Sequence, residues 1–152
     1  MTFFDELYDR FHELHAETAK ALEGLPDEAL DWVPGKEMNS INALFAHAFG
    51  AERYWIGDMA LEDPKERDRE AEFGAHGLST AELKKHLDEL DGYVRQGLTR
   101  LSLADLEAVR TSRFNNKKYT VAWSLAHALE HTALHLGHIQ ITRQLWEQRR
   151  GK

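Results

Sequence analysis

The sequence predicts an all-α fold: an antiparallel four-helix bundle or a close relative, with a long crossover between helices 2 and 3. Three observations carry that reading. Apolar residues recur at alternating three- and four-residue spacing in four segments, each long enough for a bundle helix. No segment shows the apolar–polar alternation of a strand. The stretch between the second and third segments runs about 20 residues, longer than most links in compact domains, so it can span the bundle and set those two helices parallel. A chain of 152 residues suits one domain, spanning 1–152, with a sizeable core.

The elements follow in order. Phe4, Leu7, Phe11, Leu14 and Thr18 form one face of a first helix that fades near Gly24. The segment GLPDEALDWVPGKEMNS holds two of the three prolines and reads as a connection with room for one short helical turn. Asn39 or Ser40 can cap a second helix running through Tyr54 to Met59, with Ile41, Leu44, Phe45, Ala48, Trp55 and Met59 inward and His47 at the edge of that stripe. From Asp58 to Leu78 the pattern gives way to charge, with Pro64, Gly74 and Gly77. The part from Glu62 to Glu72 can cover a pocket or stand in solvent, and it reads as the solvated link. Ser79 caps a third helix bearing Leu83, Leu87, Leu90, Val94 and Leu98. A polar link containing SRFNNKKY leads to Thr120, which opens the fourth helix toward Gln148. Trp32, Trp55, Trp123 and Trp146 are expected in the core.

Composition excludes several function classes. The net charge is −7, and the largest basic clusters are the pairs Lys117-Lys118 and Arg149-Arg150. Neither is a phosphate track, so no nucleic-acid partner is expected. No run approaches the roughly 18 apolar residues of a membrane span. The segment MTFFDELYDR lacks a basic n-region before an apolar h-region, so a cytoplasmic location is expected. There is no cysteine. Disulfides, thiolate ligands and a cysteine nucleophile are thereby removed, and any metal must sit among nitrogens and oxygens.

The fourth helix carries the chemistry. AHALEHTALHLGHI places His127, His131, His135 and His138 within twelve residues. At about 100° per residue they share an arc of roughly 80°, offset by about 100° from the core stripe of Val121, Leu125, Thr132, Leu136, Ile139 and Trp146. A lone helical histidine is ordinarily solvated or singly hydrogen-bonded. Four on one arc, with His47 on a second helix, point instead to a metal site, because imidazoles four residues apart reach one ion from consecutive turns. His131 with His135 is the best such pair; His127 with His131 competes. No Glu-x-x-His pair, nucleophile elbow or phosphate-binding loop is present, and His12-Glu13-Leu14-His15 misses metalloprotease spacing by one residue.

Two runs, LDWVPGKEMNSINALFAHAFGAERYW and ALEHTALHLGHIQITRQL, resemble the DinB-like superfamily of bacterial metal-binding bundles. That superfamily includes bacillithiol S-transferases and the N-terminal domain of mycothiol-dependent maleylpyruvate isomerase. The likeness spans nearly the whole chain, from Trp32-x-Pro34 through Ser40, His47 and Glu52-Arg53-Tyr54-Trp55 to the final His-x-x-x-His helix. It implies a metal site of His47, His131 and His135, and a long crossover between helices two and three. His138 departs from the pattern, since many members carry glutamine there. It is expected to support the pocket, with His127 behind it. Glu52, Arg53 and Tyr54 are candidates for substrate or supporting contacts, Arg53 as a carboxylate partner or a plain surface ion pair.

Three neutral imidazoles leave a divalent ion its full charge and an open position, the arrangement of catalytic zinc. Zinc or nickel is expected, and iron or manganese also accept imidazole. Such an ion activates water or a thiol. With no cysteine in the chain, a thiol must come from a small-molecule cosubstrate, and the resemblance implies S-transfer from it to a small electrophile. The alternatives are a metal-dependent hydrolase at the same site and a non-catalytic dimeric stress or interaction bundle. The resemblance also implies a homodimer.

Overall fold

The structure, a computed structural model, describes residues 1–149. Arg150, one half of the C-terminal basic pair, lies outside the described residues. The helices are α1 (Phe3–Leu22), α2 (Asp27–Asp31), α3 (Ile41–Arg53), α4 (Arg69–Phe73), α5 (Thr80–Leu98) and α6 (Val121–Arg149). α1, α3, α5 and α6 are the four bundle helices. Their starts match the capping residues: Thr2 and Ser79 form capping boxes with Asp5 and Glu82, and the Ser40 hydroxyl accepts from the Ala43 amide at 3.2 Å. Thr120 accepts from the Trp123 amide at 3.0 Å and opens α6.

Contacts along the helices fix their directions. Asn42, near the start of α3, donates to the Leu78 carbonyl just before α5, and Arg53 near the end of α3 lies over the Tyr93 ring late in α5. α3 and α5 are therefore parallel, and the segment between them is a crossover that runs back along the bundle. α3 meets α6 antiparallel, with Glu52 beside Thr132 and Trp55 beside Trp123. Arg143 in α6 donates to the carbonyls of Lys20, Ala21 and Glu23, satisfying the end of α1 with a cation where the helix dipole is negative. Phe11, Leu22, Ile41, Ile56, Leu125 and Ile139 are fully enclosed at the centre.

Four features differ from the sequence reading. First, the second helix does not continue as an α-helix to Met59; residues Tyr54–Ala60 form a π-helix, with the Leu61 amide bonding the Ile56 carbonyl at 2.9 Å. The wider turn changes the phase of the side chains, and Trp55 sits half-buried against Tyr119, Trp123 and His127 instead of in the core. Second, a two-stranded antiparallel hairpin, β1 (Val109–Thr111) and β2 (Lys118–Thr120), occupies the polar link, with Asn116 at φ 57° in its turn. Three-residue strands are too short to show alternation. Third, Trp123 is 43% exposed, because it faces an aromatic row on the outside of α6; Trp146 alone of the four tryptophans is fully buried. Fourth, the crossover is not merely solvated: its short helix α4 packs on α3, and Phe73 stacks on the His47 ring at 4.6 Å. Among the described residues, no helix is long and apolar enough to cross a membrane.

Candidate metal centre

The antiparallel contact between α3 and α6 brings three of the histidines together. His47 projects from the middle of α3 toward the arc that His131 and His135 share on α6. Ring centroids are 5.0 Å apart for His47–His131, 4.9 Å for His47–His135 and 4.4 Å for His131–His135. One ring nitrogen from each lies within 4.8 Å of the other two. Tetrahedral ligands about 2.0–2.1 Å from one ion stand about 3.4 Å from each other, so small side-chain rotations close this set onto a metal. Burial, with the neighbouring histidines adding to it, pushes the His131 pKa down to about 3 and that of His135 down to about 4. Both rings are therefore neutral at physiological pH, the state in which imidazole is a ligand. The Nδ1 atom of His131 is buried without a hydrogen-bond partner. An unpaired buried polar nitrogen is costly, and a coordinated ion is a physical reason to keep one there.

The surroundings engage two of these rings and fix the tautomer of His47. His47 Nδ1 lies 3.1 Å from Glu72 Oε2. Burial opposes the charge on Glu72, but hydrogen bonds from His47 and Arg67 outweigh it and keep the carboxyl below the ordinary glutamate range. An ionised carboxylate only accepts, so the proton sits on His47 Nδ1 and the Nε2 lone pair is free. Arg67 grips the same carboxylate with Nε at 2.6 Å and Nη2 at 3.0 Å, a bidentate fork. Gly50 makes room for the fork, since a Cβ there would overlap the Glu72 carboxylate. On the other side, His138 Nδ1 lies 3.2 Å from His135 Nδ1, so one ring donates to the other.

The remaining sequence candidates divide. Tyr54 and His127 line a cavity of about 230 Å³ beside His47 and His131. The Tyr54 hydroxyl pairs with Ser112 Oγ at 2.7 Å, and His127 stacks on Trp123 at 4.7 Å. Arg53 does not reach this cavity: it pairs with Asp63 at 3.2 Å, one of the two roles read for it from the sequence. Glu52 does not reach it either. It is fully buried, accepting from His15 Nε2 at 2.8 Å and from Thr132 Oγ1 at 2.6 Å. The spacing places Glu52 and His47 on one helix, but five residues turn the carboxylate toward α1 rather than toward the histidines.

Sequence reasoning missed Glu72, Arg67 and His15. The first two sit in a charged run with no periodicity to assign them a side. His15 lies on the core face of α1, where Phe11 and Thr18 were read as inward, and that face was the available signal.

With this geometry established, comparison with known proteins decides the lineage. The sequence profile of the DinB superfamily matches residues 10–139. The chain belongs to the DinB superfamily. No curated protein matches this DinB-superfamily chain by sequence. Several solved structures share its fold. YfiT from Bacillus subtilis, described as "a probable metal-dependent hydrolase with an unusual four-helix bundle topology", superposes with a TM-score of 0.75 at 16% identity, over 95% of this chain and 89% of its own. A conserved protein from Enterococcus faecalis gives 0.74 at 16% identity, covering 95% and 97%. A DinB-like protein from Bacillus cereus gives 0.74 at 13% identity, covering 92% and 90%. At these identities the likeness establishes the four-helix fold.

Proposed function

We propose that this protein is a metal-dependent enzyme whose His47, His131 and His135 hold one divalent transition ion, and that it transfers a low-molecular-weight thiol to a small electrophile. The observation that carries the metal reading is the convergence of three histidines, two of them kept neutral by burial, around one point beside a cavity. All three donors are nitrogens, which suits zinc or nickel. Bound there, the ion would supply positive charge that lowers the pKa of a thiol or a water, making either a nucleophile at neutral pH.

The chain's own residues supply the rest. Glu72 and His138 hydrogen-bond the rings of His47 and His135 from behind and limit the rotation needed to close the set on an ion. Tyr54, Trp55 and Phe114 wall the cavity and exclude water from one side of a bound electrophile. In the transfer, the thiol proton leaves to solvent, a sulfur–carbon bond forms, and the leaving group departs with its bonding pair. No cysteine in the chain competes as the nucleophile. Support for the thiol comes from the DinB resemblance. Hydrolysis by an activated water is a second reading, favoured by the likeness to YfiT and by its description.

Two panels separate these readings. Zinc- or nickel-loaded protein is assayed with small thiols plus electrophiles, and in parallel with ester and amide substrates. Thioether formation that is lost in His131→Ala and on chelation is the expected result. Turnover of esters or amides alone would transfer the assignment to hydrolysis, and no metal-dependent turnover in either panel would remove the catalytic reading.

A further inference from the structure

The cavity beside the three histidines differs in charge from the rest of the protein. The chain carries 26 acidic residues against 19 lysines and arginines, yet among the described residues no carboxylate lines this cavity, whereas Arg67 and Arg69 do. The two arginines are not equivalent. Arg67 is half of the fork to Glu72, so its charge is matched. Among the described residues Arg69, at the start of α4, makes no ion pair; its guanidinium lies 5.3 Å from the centre of the Phe73 ring at the end of that helix. The nearest acids in sequence are engaged or turned to solvent: Asp68 caps α4 through the Ala71 amide, and Glu70 is exposed. Arg69 is thus the arginine at the cavity that no carboxylate among the described residues holds in an ion pair.

The walls set the shape. Trp55, Tyr54 and Phe114 present ring faces and edges, and Tyr54 and Phe114 are packed at 4.9 Å in an edge-to-face pair. The volume, about 230 Å³, falls below the roughly 300–1,000 Å³ of sites for drug-sized ligands. Guanidinium groups recognise carboxylates by paired N–H donors, and ring walls recognise flat, unsaturated bodies.

We infer that one reactant of this enzyme is a small, flat, singly charged anion, with its unsaturated body between Trp55 and Phe114 and its anionic group at Arg69. The inference rests on the metal-dependent reading for the word reactant; the binding itself does not.

The test therefore uses metal-free protein, in which a carboxylate has only the arginines to find. Cinnamate and cinnamamide share one flat body and differ in charge. Each is titrated while the indole N–H resonance of Trp55 is followed by NMR, and zinc uptake is measured separately on the same preparation. Cinnamate is expected to saturate the Trp55 shift and the amide to bind more weakly. Arg69→Gln should weaken cinnamate about threefold, as for one exposed ion pair, with Arg69→Glu weaker still and the amide unchanged in both. Phe114→Ala should weaken both probes. Equal binding of acid and amide, or cinnamate binding indifferent to Arg69→Glu, would overturn the inference. Cinnamate binding without zinc uptake would keep the anion subsite and remove the metal-dependent function; zinc uptake without anion preference would do the reverse.

Discussion

Replacing Glu52 by alanine is expected to destabilise the protein by about 3–5 kcal/mol, the range for removing one member of a buried ion pair. Glu52 is fully enclosed and joins three bundle helices, bonding His15 of α1 and Thr132 of α6. His15 is also buried, and its Nδ1 donates to Asp91 of α5 at 2.7 Å. Tyr8 donates to the same carboxylate at 2.8 Å. Burial alone would discharge His15, but Glu52 and Asp91 outweigh it and raise its pKa above the ordinary histidine value. The pH dependence follows from that sign. A raised folded-state pKa gives stability that is complete below the unfolded value of about 6.5 and is lost as pH climbs through the folded value. Denaturant unfolding of wild type and Glu52→Ala at several pH values checks this. The gap between them should be widest in mildly acidic buffer and narrow on the alkaline side. Glu52→Gln, which keeps the shape and an acceptor, should fall between the two.

Glu72→Gln is expected to weaken zinc or nickel binding about 10–100-fold without touching a ligand, the usual effect of removing the carboxylate behind a metal-bound histidine. The amide still accepts a hydrogen bond, but it loses the charge that fixes the His47 proton on Nδ1 and the fork from Arg67. Gly50→Ala reaches the same pair by steric means, because its new methyl group occupies the space of the Glu72 carboxylate. Competition against a chromogenic chelator measures both. Wild-type affinity in both variants would show that the crossover does not position His47.

The bundle and its crossover were legible because helices advertise themselves. Capping residues at Ser40, Ser79 and Thr120, and apolar residues at three- and four-residue spacing, are local signals that tertiary context reinforced. His131 and His135 were legible for the same reason: one helical turn separates them, and periodicity alone puts them on one face. His47 needed the superfamily likeness, since nothing local says which helix α3 will face. Glu72 was illegible for a related reason. Its partners His47 and Arg67 lie 25 and 5 residues away, and a charged stretch without period gives no direction to any side chain. The π-helical turn also escaped: the Arg53 side chain runs across Gly57 onto the Tyr93 ring there, a tertiary contact that no local propensity marks. Glu52 shows the limit of reading roles from neighbours in sequence: the motif that contains it sits beside the histidines, while its carboxylate holds the interior together.

The central claim is that His47, His131 and His135 form one metal site. Elemental analysis of purified protein, beside a His47→Ala/His131→Ala/His135→Ala variant, tests it most directly. About one transition-metal equivalent per chain in the wild type, lost in a variant that still folds by circular dichroism, is the predicted result. A wild type that holds no metal and takes up neither zinc nor nickel, or a triple variant that retains its metal, would contradict it.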